Sequence, residues 1–289
     1  MEKRTILIQF DTDTHPSVFD RVVAIDAGTD EVFSYGDIKP EIVQGLVHGA
    51  IFTRGPKDLH RTAIFVGGSD VVAGEKLVEE IRKHMIPSFG LQVSVLMDAN
   101  GCNTTAGAAV FVAGQHLTLA GTNALVLGGT GPVGQRVARL LAGEGAVVRV
   151  ASRKEERAAA VCEAIRTRYP QANLQPVATG SAGELKAATD GQTLIVAAGA
   201  AGVCLLPRDV RQACSSLKVA IDLNAVPPLG IEGVDVTDKA KEDNGVICYG
   251  AVGVGGTKMK IHRAAIAKLF SANNQVMDAE EVYALSKEI

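Results

Sequence analysis

The stretch ALVLGGTGPVGQRVARLLAGEGAVVRVASRK, residues 124–154, strings together an apolar run, a knot of glycines, a helical run and a second apolar run. Within it Gly129-Thr130-Gly131-Pro132-Val133-Gly134 satisfies G-x-G-x-x-G, follows a predicted strand and opens a predicted helix. That context makes the motif a dinucleotide site rather than a Gly-rich turn. The first glycine allows a tight turn, Gly131 lets backbone N–H groups approach a pyrophosphate, and Gly134 lets helix and strand pack closely. The helix then turns its positive dipole end to the phosphates.

The identity of the dinucleotide is read at the end of the second strand. An Asp or Glu there would grip a ribose 2′-OH, but this chain has Ser152-Arg153-Lys154. A guanidinium holds a 2′-phosphate by paired charge-assisted hydrogen bonds, and Ser152 could add another, so NADP is expected. The missing carboxylate does not exclude NAD. Arg153 and Lys154 could equally be solvated residues of the next helix's first turn, beside Glu155 and Glu156.

Outward from this unit, short apolar runs alternate with helical patterns, the signature of βαβ units around a mainly parallel sheet. Before the glycine knot, strands are predicted at Thr5–Phe10, Thr62–Val66 and Leu91–Met97, with helices near 17–27, 40–48 and 70–85. This block has no phosphate loop. A helical run, Asn103–His116, leads into a second block with strands at Asn123–Leu127, Ala146–Ala151, Leu174–Val177, Thr193–Ala197, Lys218–Asp222 and Val246–Tyr249. Residues 257–270 and 278–288 read as two amphipathic helices. The expectation is an α/β chain of two domains. A smaller N-terminal α/β domain (1–118) precedes a Rossmann-type doubly wound parallel sheet (119–256), and C-terminal helices (257–289) pack back on the first domain.

With 289 residues, 47% of them hydrophobic, the chain can bury a large core. A net charge of −3 gives no general pull toward nucleic acid or an anionic membrane. No signal-like leader and no long uncharged apolar run is seen, so a cytoplasmic protein is expected. The five cysteines (Cys102, Cys162, Cys204, Cys214 and Cys248) are odd in number and scattered, which suits reduced thiols rather than metal ligands.

Three further loops follow predicted strands. Ala198-Gly199, within Ala197–Gly202, offers small residues beside the nicotinamide half of a dinucleotide, or a loosely packed loop. Asp222–Gly230, with Asn224 near its start, forms a loop stiffened by Pro227-Pro228 at the carboxyl edge of the sheet, where ligands collect. Gly253 opens a Gly-rich run that could face the cofactor or simply start a helix. Gly128 also permits a G-x-x-G-x-x-G reading, a spacing of extended short-chain dehydrogenases, but the 120 or so residues ahead of it speak against that class. Two Tyr-x-x-x-Lys pairs, Tyr35/Lys39 and Tyr283/Lys287, are discounted as acid and partner. The first is cut by Pro40 and the second lies near the C-terminus, where fraying is common.

Six stretches resemble the methylene-tetrahydromethanopterin dehydrogenases of methylotrophic bacteria. They are QFDTDTHPSVFD (9–20), TAIFVGGSD (62–70), LMDANGCNTTA (96–106), GTGPVG (129–134), NAVPPLGIEGVDVTDK (224–239) and GVGGTKMKIHRAAIAKLF (253–270). The resemblance implies oxidation of N5,N10-methylene-tetrahydromethanopterin, or of methylene-tetrahydrofolate in some members, with NADP or NAD, in the oxidation of formaldehyde-derived one-carbon units. It also implies a pterin bound between two domains and assembly into homotrimers or larger oligomers.

Hydride removal from the methylene carbon leaves a methenyl cation shared by two nitrogens, so that step moves no proton and needs no acid–base residue. Positioning groups are needed instead. Asp11, Asp13 and Phe19, then Asp98, Asn100, Asn103, Thr104 and Thr105, and finally Lys258, are the expected substrate contacts. Asp and Asn would grip the amide edge of the pterin, and Phe19 would stack on it. Asp98–Thr105 reads equally as a capped turn and Phe19 as a core residue, while Lys258 could anchor substrate or close an interdomain hydrogen bond. A protein that binds NADP without turnover is the remaining alternative.

Overall fold

The computed structural model describes residues 3–289. Strand β1 (Ile6–Asp11) is followed by α1 (Val18–Asp26), β2 (Glu31–Tyr35), α2 (Pro40–Phe52), β3 (Thr62–Gly67), α3 (Val71–Lys83) and β4 (Ser94–Met97). Helix α4 (Cys102–Gly114) leads to β5 (Asn123–Leu127), α5 (Pro132–Gly143), β6 (Val147–Ser152), α6 (Glu155–Arg168), β7 (Leu174–Ala178) and α7 (Ala182–Thr189). Then come β8 (Leu194–Ala197), α8 (Arg208–Ala213), β9 (Val219–Asp222), β10 (Lys241–Asp243) and β11 (Val246–Tyr249). The chain closes with α9 (Ala251–Leu269), β12 (Val276–Met277) and α10 (Ala279–Ser286).

Two compact units result. One takes the chain up to Thr104 together with Met259–Ile289, and the other is Thr105–Lys258, so the partition falls inside α4 and inside α9. In the first unit the strands run β2-β1-β3-β4-β12, and every pair is parallel. This is the 2-1-3-4-5 order of flavodoxin-like sheets, which reverses direction between β1 and β3. Strands β3 and β4 are buried along their whole length, as expected for central parallel strands covered on both faces. Phe10, Ile64 and Val66 of the sheet pack with Val47 and Ile51 of α2 and Leu77 and Ile81 of α3.

In the second unit the order is β10-β11-β9-β8-β5-β6-β7. Taken from β7 to β11 it is the 3-2-1-4-5-6 order of dinucleotide-binding sheets, with the reversal between β5 and β8. Strand β10 adds an antiparallel edge. The core is built from Leu125, Leu127, Ile195, Ala197, Ala220 and Cys248, and small residues such as the two alanines let helices approach the sheet. The fold is therefore α/β with two doubly wound sheets, the first wholly parallel and the second parallel except at its β10 edge.

Several elements depart from the sequence reading. Strand β2 was not expected, because an edge strand exposes one side and its Glu31–Tyr35 run lacks a continuous apolar signal. Strands β10 and β12 have three and two residues, too few to show a period. Strand β4 starts at Ser94 rather than Leu91, since Leu91 bridges back to Ile86 around Gly90, whose φ is 69°. Helix α9 starts at Ala251, so Gly253 lies inside it and not on a loop. A Cβ at Gly253 would sit 1.9 Å from the Asp238 carbonyl oxygen, so this glycine admits close backbone packing.

Candidate active site

The carboxyl ends of β5 and β8 meet at the switch point of the second sheet, where ligands collect in such folds. Gly128, with φ 69°, is the left-handed residue of the turn after β5, and a Cβ there would lie 2.6 Å from Gly199 Cα. The tight turn thus falls on Gly128, one residue before the position expected from the motif. A Cβ at Gly129 would meet Val150 at 2.7 Å, and one at Gly134 would meet the Gly128 carbonyl oxygen at 2.3 Å. Gly131 differs, since its nearest neighbours are 3.4 Å and 3.6 Å away. It is the N-cap of α5, has no side chain to bond the helix's first N–H groups, and is followed by Pro132 at the first helical position. Thr130, Val133 and those N–H groups therefore surround an anion-binding cradle, and the residues present fit a pyrophosphate. Ala198 and Gly199 pass directly over it, with Ala198 N–H donating to the Leu127 carbonyl at 2.9 Å.

At the end of β6, Ser152 is buried and its carbonyl oxygen accepts the Thr179 N–H at 2.9 Å. Arg153 and Lys154 are exposed, and Lys154 caps α6 without a side-chain bond. Glu155 and Glu156 beside it are exposed as well. A Cβ at Gly180 would lie 2.9 Å from the Arg153 carbonyl oxygen, so the loop after β7 fixes the Arg153 backbone. Thr179 and Gly180 escaped the sequence reading, their only signal being a small polar turn after a strand.

The loop after β9 hangs on Asp222. Its carboxylate accepts the N–H of Asn224 at 3.0 Å and of Ile231 at 2.8 Å. Burial pushes this carboxyl above the usual carboxylate range, and the backbone N–H groups of Asn224, Ile231 and Gly230 oppose that shift. The Asn224 side chain accepts from Val226 N–H at 2.9 Å and donates to the Pro228 carbonyl at 3.1 Å. Asn224, expected to contact the cofactor, thus spends its amide on the shape of the loop. Asp222 opens the loop expected at the carboxyl edge, but its part in holding that loop shows only in its hydrogen bonds.

In the first unit the switch point lies between β1 and β3. The Asp11 carboxylate, wholly buried, accepts from Asp13 N–H at 2.9 Å, Ser17 N–H at 3.0 Å and the Gln9 amide at 3.2 Å. Asp13 then accepts from Ser69 N–H at 3.0 Å and Ser69 Oγ at 2.8 Å, tying the loops after β1 and β3 together. Asp98 accepts the N–H groups of Asn103 and Thr104 at 2.9 and 3.0 Å and the Thr104 hydroxyl at 2.6 Å. The Asn103 amide donates to the Met97 carbonyl at 2.6 Å and to Asp278 at 2.9 Å. Asp11, Asp98, Asn103 and Thr104 are all buried, so they shape the rim and offer a ligand little surface. Asn100 is exposed with φ 53°, a strained position of the kind found at ligand sites. Phe19 is half-exposed on α1 rather than a core residue.

A family model described as methylene-tetrahydromethanopterin dehydrogenase, N-terminal, matches residues 18–100. The chain is 46% identical to the bifunctional protein MdtA of Methylorubrum extorquens over 99% of both chains. It is 31% identical to the NAD(P)-dependent methylenetetrahydromethanopterin dehydrogenase of the same organism, again over 99% of both. The chain belongs to the methylene-tetrahydromethanopterin dehydrogenase family. A crystal structure of 5-ketofructose reductase from Gluconobacter shares the fold, with a TM-score of 0.53, 14% identity and 99% of both chains covered.

In this family member the matched segment 18–100 runs from the start of α1, through the rim after β3, to Asn100. Thr105 is partly exposed on α4, and Lys258 is partly exposed on α9 as the last residue of the second unit. Gly253 is buried in that helix against Asp238. The two Tyr-x-x-x-Lys pairs take structural places. Tyr35 lies on a strand, and buried Tyr283 carries Lys287 Nζ 4.7 Å above its ring. The five cysteines are free, and Cys204 is the exposed one. Among the described residues no group of His, Cys, Asp or Glu is arranged to hold a metal, and no helix is long and apolar enough to cross a membrane.

Proposed function

We propose that this chain removes a hydride from N5,N10-methylene-tetrahydromethanopterin, leaving the methenyl form, with NADP or NAD as acceptor. The observation that carries the reading is full-length family membership joined to a phosphate-binding glycine loop at the switch point of a dinucleotide-type sheet. When bound there, the nicotinamide supplies the hydride-accepting carbon.

The protein's own residues bind, orient and exclude water. Gly131 and the first turn of α5 hold the pyrophosphate, while Ser152, Arg153 and Lys154 favour a 2′-phosphate and hence NADP. Ala198, Gly199 and the loop held by Asp222 and Asn224 bound the nicotinamide side. The rim of the first unit, with Phe19 and Asn100 outermost, takes the pterin. Thr105 and Lys258 are assigned to the same substrate. Bringing the reacting carbon to about 3 to 3.5 Å from its acceptor accounts for the rate without a proton-transfer residue. The products are a delocalised cation and the reduced nucleotide. Family resemblance supports a cytoplasmic homo-oligomer, trimeric or larger, in formaldehyde-derived one-carbon oxidation.

A second reading keeps the ring and changes its carrier to methylene-tetrahydrofolate, which the family resemblance implies for some members. Turnover of each carrier with each nucleotide separates these readings. Tight NADP binding with no turnover of either carrier would leave a binding protein instead.

A further inference from the structure

The glycines after β5 are not all held by packing. A Cβ would come within 2.6 Å of other backbone at Gly128, 2.7 Å of the Val150 side chain at Gly129 and 2.3 Å of a carbonyl oxygen at Gly134, whereas at Gly131 the nearest neighbours are 3.4 Å and 3.6 Å away. Packing therefore fixes the first three and leaves Gly131 slack. Glycine has the most backbone freedom to lose when a loop is ordered. Gly131 is also the N-cap of α5, with φ −78° and ψ 165°, so its conformation sets how Thr130 and the first helical turn face each other.

Gln135, exposed on α5, supplies the restraint that packing does not. Its side-chain amide donates to the Thr130 carbonyl oxygen at 2.8 Å. At the other end of the same peptide unit, the Gly131 N–H donates to the Gly128 carbonyl at 3.0 Å. A planar trans peptide points its C=O and N–H in opposite directions, so the two bonds clamp the Thr130–Gly131 plane from both sides. The backbone N–H of Gln135 then donates to the Gly131 carbonyl at 2.9 Å, the first bond of the helix. Since Pro132 has no N–H, the first turn is left with those of Val133 and Gly134 as its donors.

We infer that Gln135 is a positioning residue for the nucleotide pyrophosphate, holding the glycine loop in its binding shape before the nucleotide arrives. This rests on the cofactor part of the functional reading above. Gln135 acts through the Thr130 carbonyl, and a loop ordered in the free protein costs less to order on binding. The clamp lies in the glycine loop rather than at the end of β6, so it strengthens NADP and NAD alike and leaves the choice between them to other residues.

The test titrates nucleotides against full-length protein, with ADP as a probe that carries a pyrophosphate and adenosine 2′-monophosphate as one that lacks it. Gln135→Leu is expected to raise Kd for NADP, NAD and ADP by a common factor of about 3- to 10-fold. Adenosine 2′-monophosphate should bind within twofold of wild type, and kcat at saturating nucleotide should also stay within twofold. Tm should move by no more than about 2 °C, as for an exposed side chain. Gln135→Glu, which replaces the donor by a charge, should weaken ADP more than Gln135→Leu does. Hydrogen exchange reads the clamp directly: without nucleotide the Gly131 amide should exchange about tenfold more slowly in wild type than in Gln135→Leu, and NADP should close that gap. ADP affinity unchanged in Gln135→Leu, an equal loss for adenosine 2′-monophosphate, or a fast-exchanging Gly131 amide in nucleotide-free wild type would overturn the assignment. Wild-type protein that binds none of these nucleotides would instead sink the cofactor reading itself.

Discussion

Gly134 packs against Gly128 so closely that a Cβ at residue 134 would lie 2.3 Å from the Gly128 carbonyl oxygen. Both elements that meet there, the turn after β5 and the start of α5, are backbone, so neither can yield cheaply. Gly134→Ala is expected to destabilise the protein by about 3 kcal/mol through overpacking, read as a lower Tm. Gly131→Ala has φ −78° and ordinary contact distances, so its Tm should be near wild type. Its added methyl faces the phosphates instead, and the Kd for NADP should rise about tenfold or more. Equal effects of the two substitutions on Tm would contradict this division of labour.

The proposed nucleotide preference rests on the exposed Arg153 guanidinium, whose backbone is pinned by Gly180. Arg153→Ala should weaken NADP by about 1.5 to 3 kcal/mol and leave NAD nearly unchanged, as measured by the two KM values. An equal loss for both nucleotides would return Arg153 to a solvated helix turn.

The local structure around both stretches was legible in the sequence, because each carries a strong local signal. Gly129–Gly134 sits between a strand and a helix, and Ser152-Arg153-Lys154 ends the next strand. What stayed hidden depends on long-range contact. Glu31–Tyr35 pairs only along one edge, and Val276–Met277 is too short for a period. Gly253 reads as the start of a Gly-rich run facing the cofactor or of a plain helix, and its packing on Asp238 is a contact the sequence does not show. Asp11, Asp98, Asn103 and Thr104 have the composition of a polar site, but their hydrogen bonds turn inward. Asp20 and His262, far apart in the chain, come together only in the folded unit.

Asn100 holds a left-handed conformation on the exposed rim of the first unit. Asn100→Gly should leave stability unchanged or raise it by up to about 1 kcal/mol, because glycine adopts that conformation freely. The lost amide should raise the pterin KM about 3- to 10-fold. A wild-type KM in a stable variant would remove Asn100 from the substrate site.

The buried Arg211 guanidinium bonds the Asp243 carboxylate across from α8 to β10. That hydrogen bond holds the Asp243 carboxyl below the usual carboxylate range. The folded state therefore binds this proton less readily than the unfolded chain. The resulting stability is present above the unfolded value of about 3.9 and is lost as pH falls below it. Asp243→Asn should cost about 1 to 3 kcal/mol at pH 7, after discounting for the partial exposure of Asp243. Urea unfolding should show the gap between wild type and variant closing below about pH 4. A gap that persists there would mean that the pair is not the source.

The most direct measurement of the central claim is turnover of purified protein on methylene-tetrahydromethanopterin, followed by the appearance of the methenyl pterin together with reduced nucleotide. The account predicts equimolar formation of both, faster with NADP than with NAD. Protein that binds NADP but forms no methenyl product from either carrier with either nucleotide would contradict it.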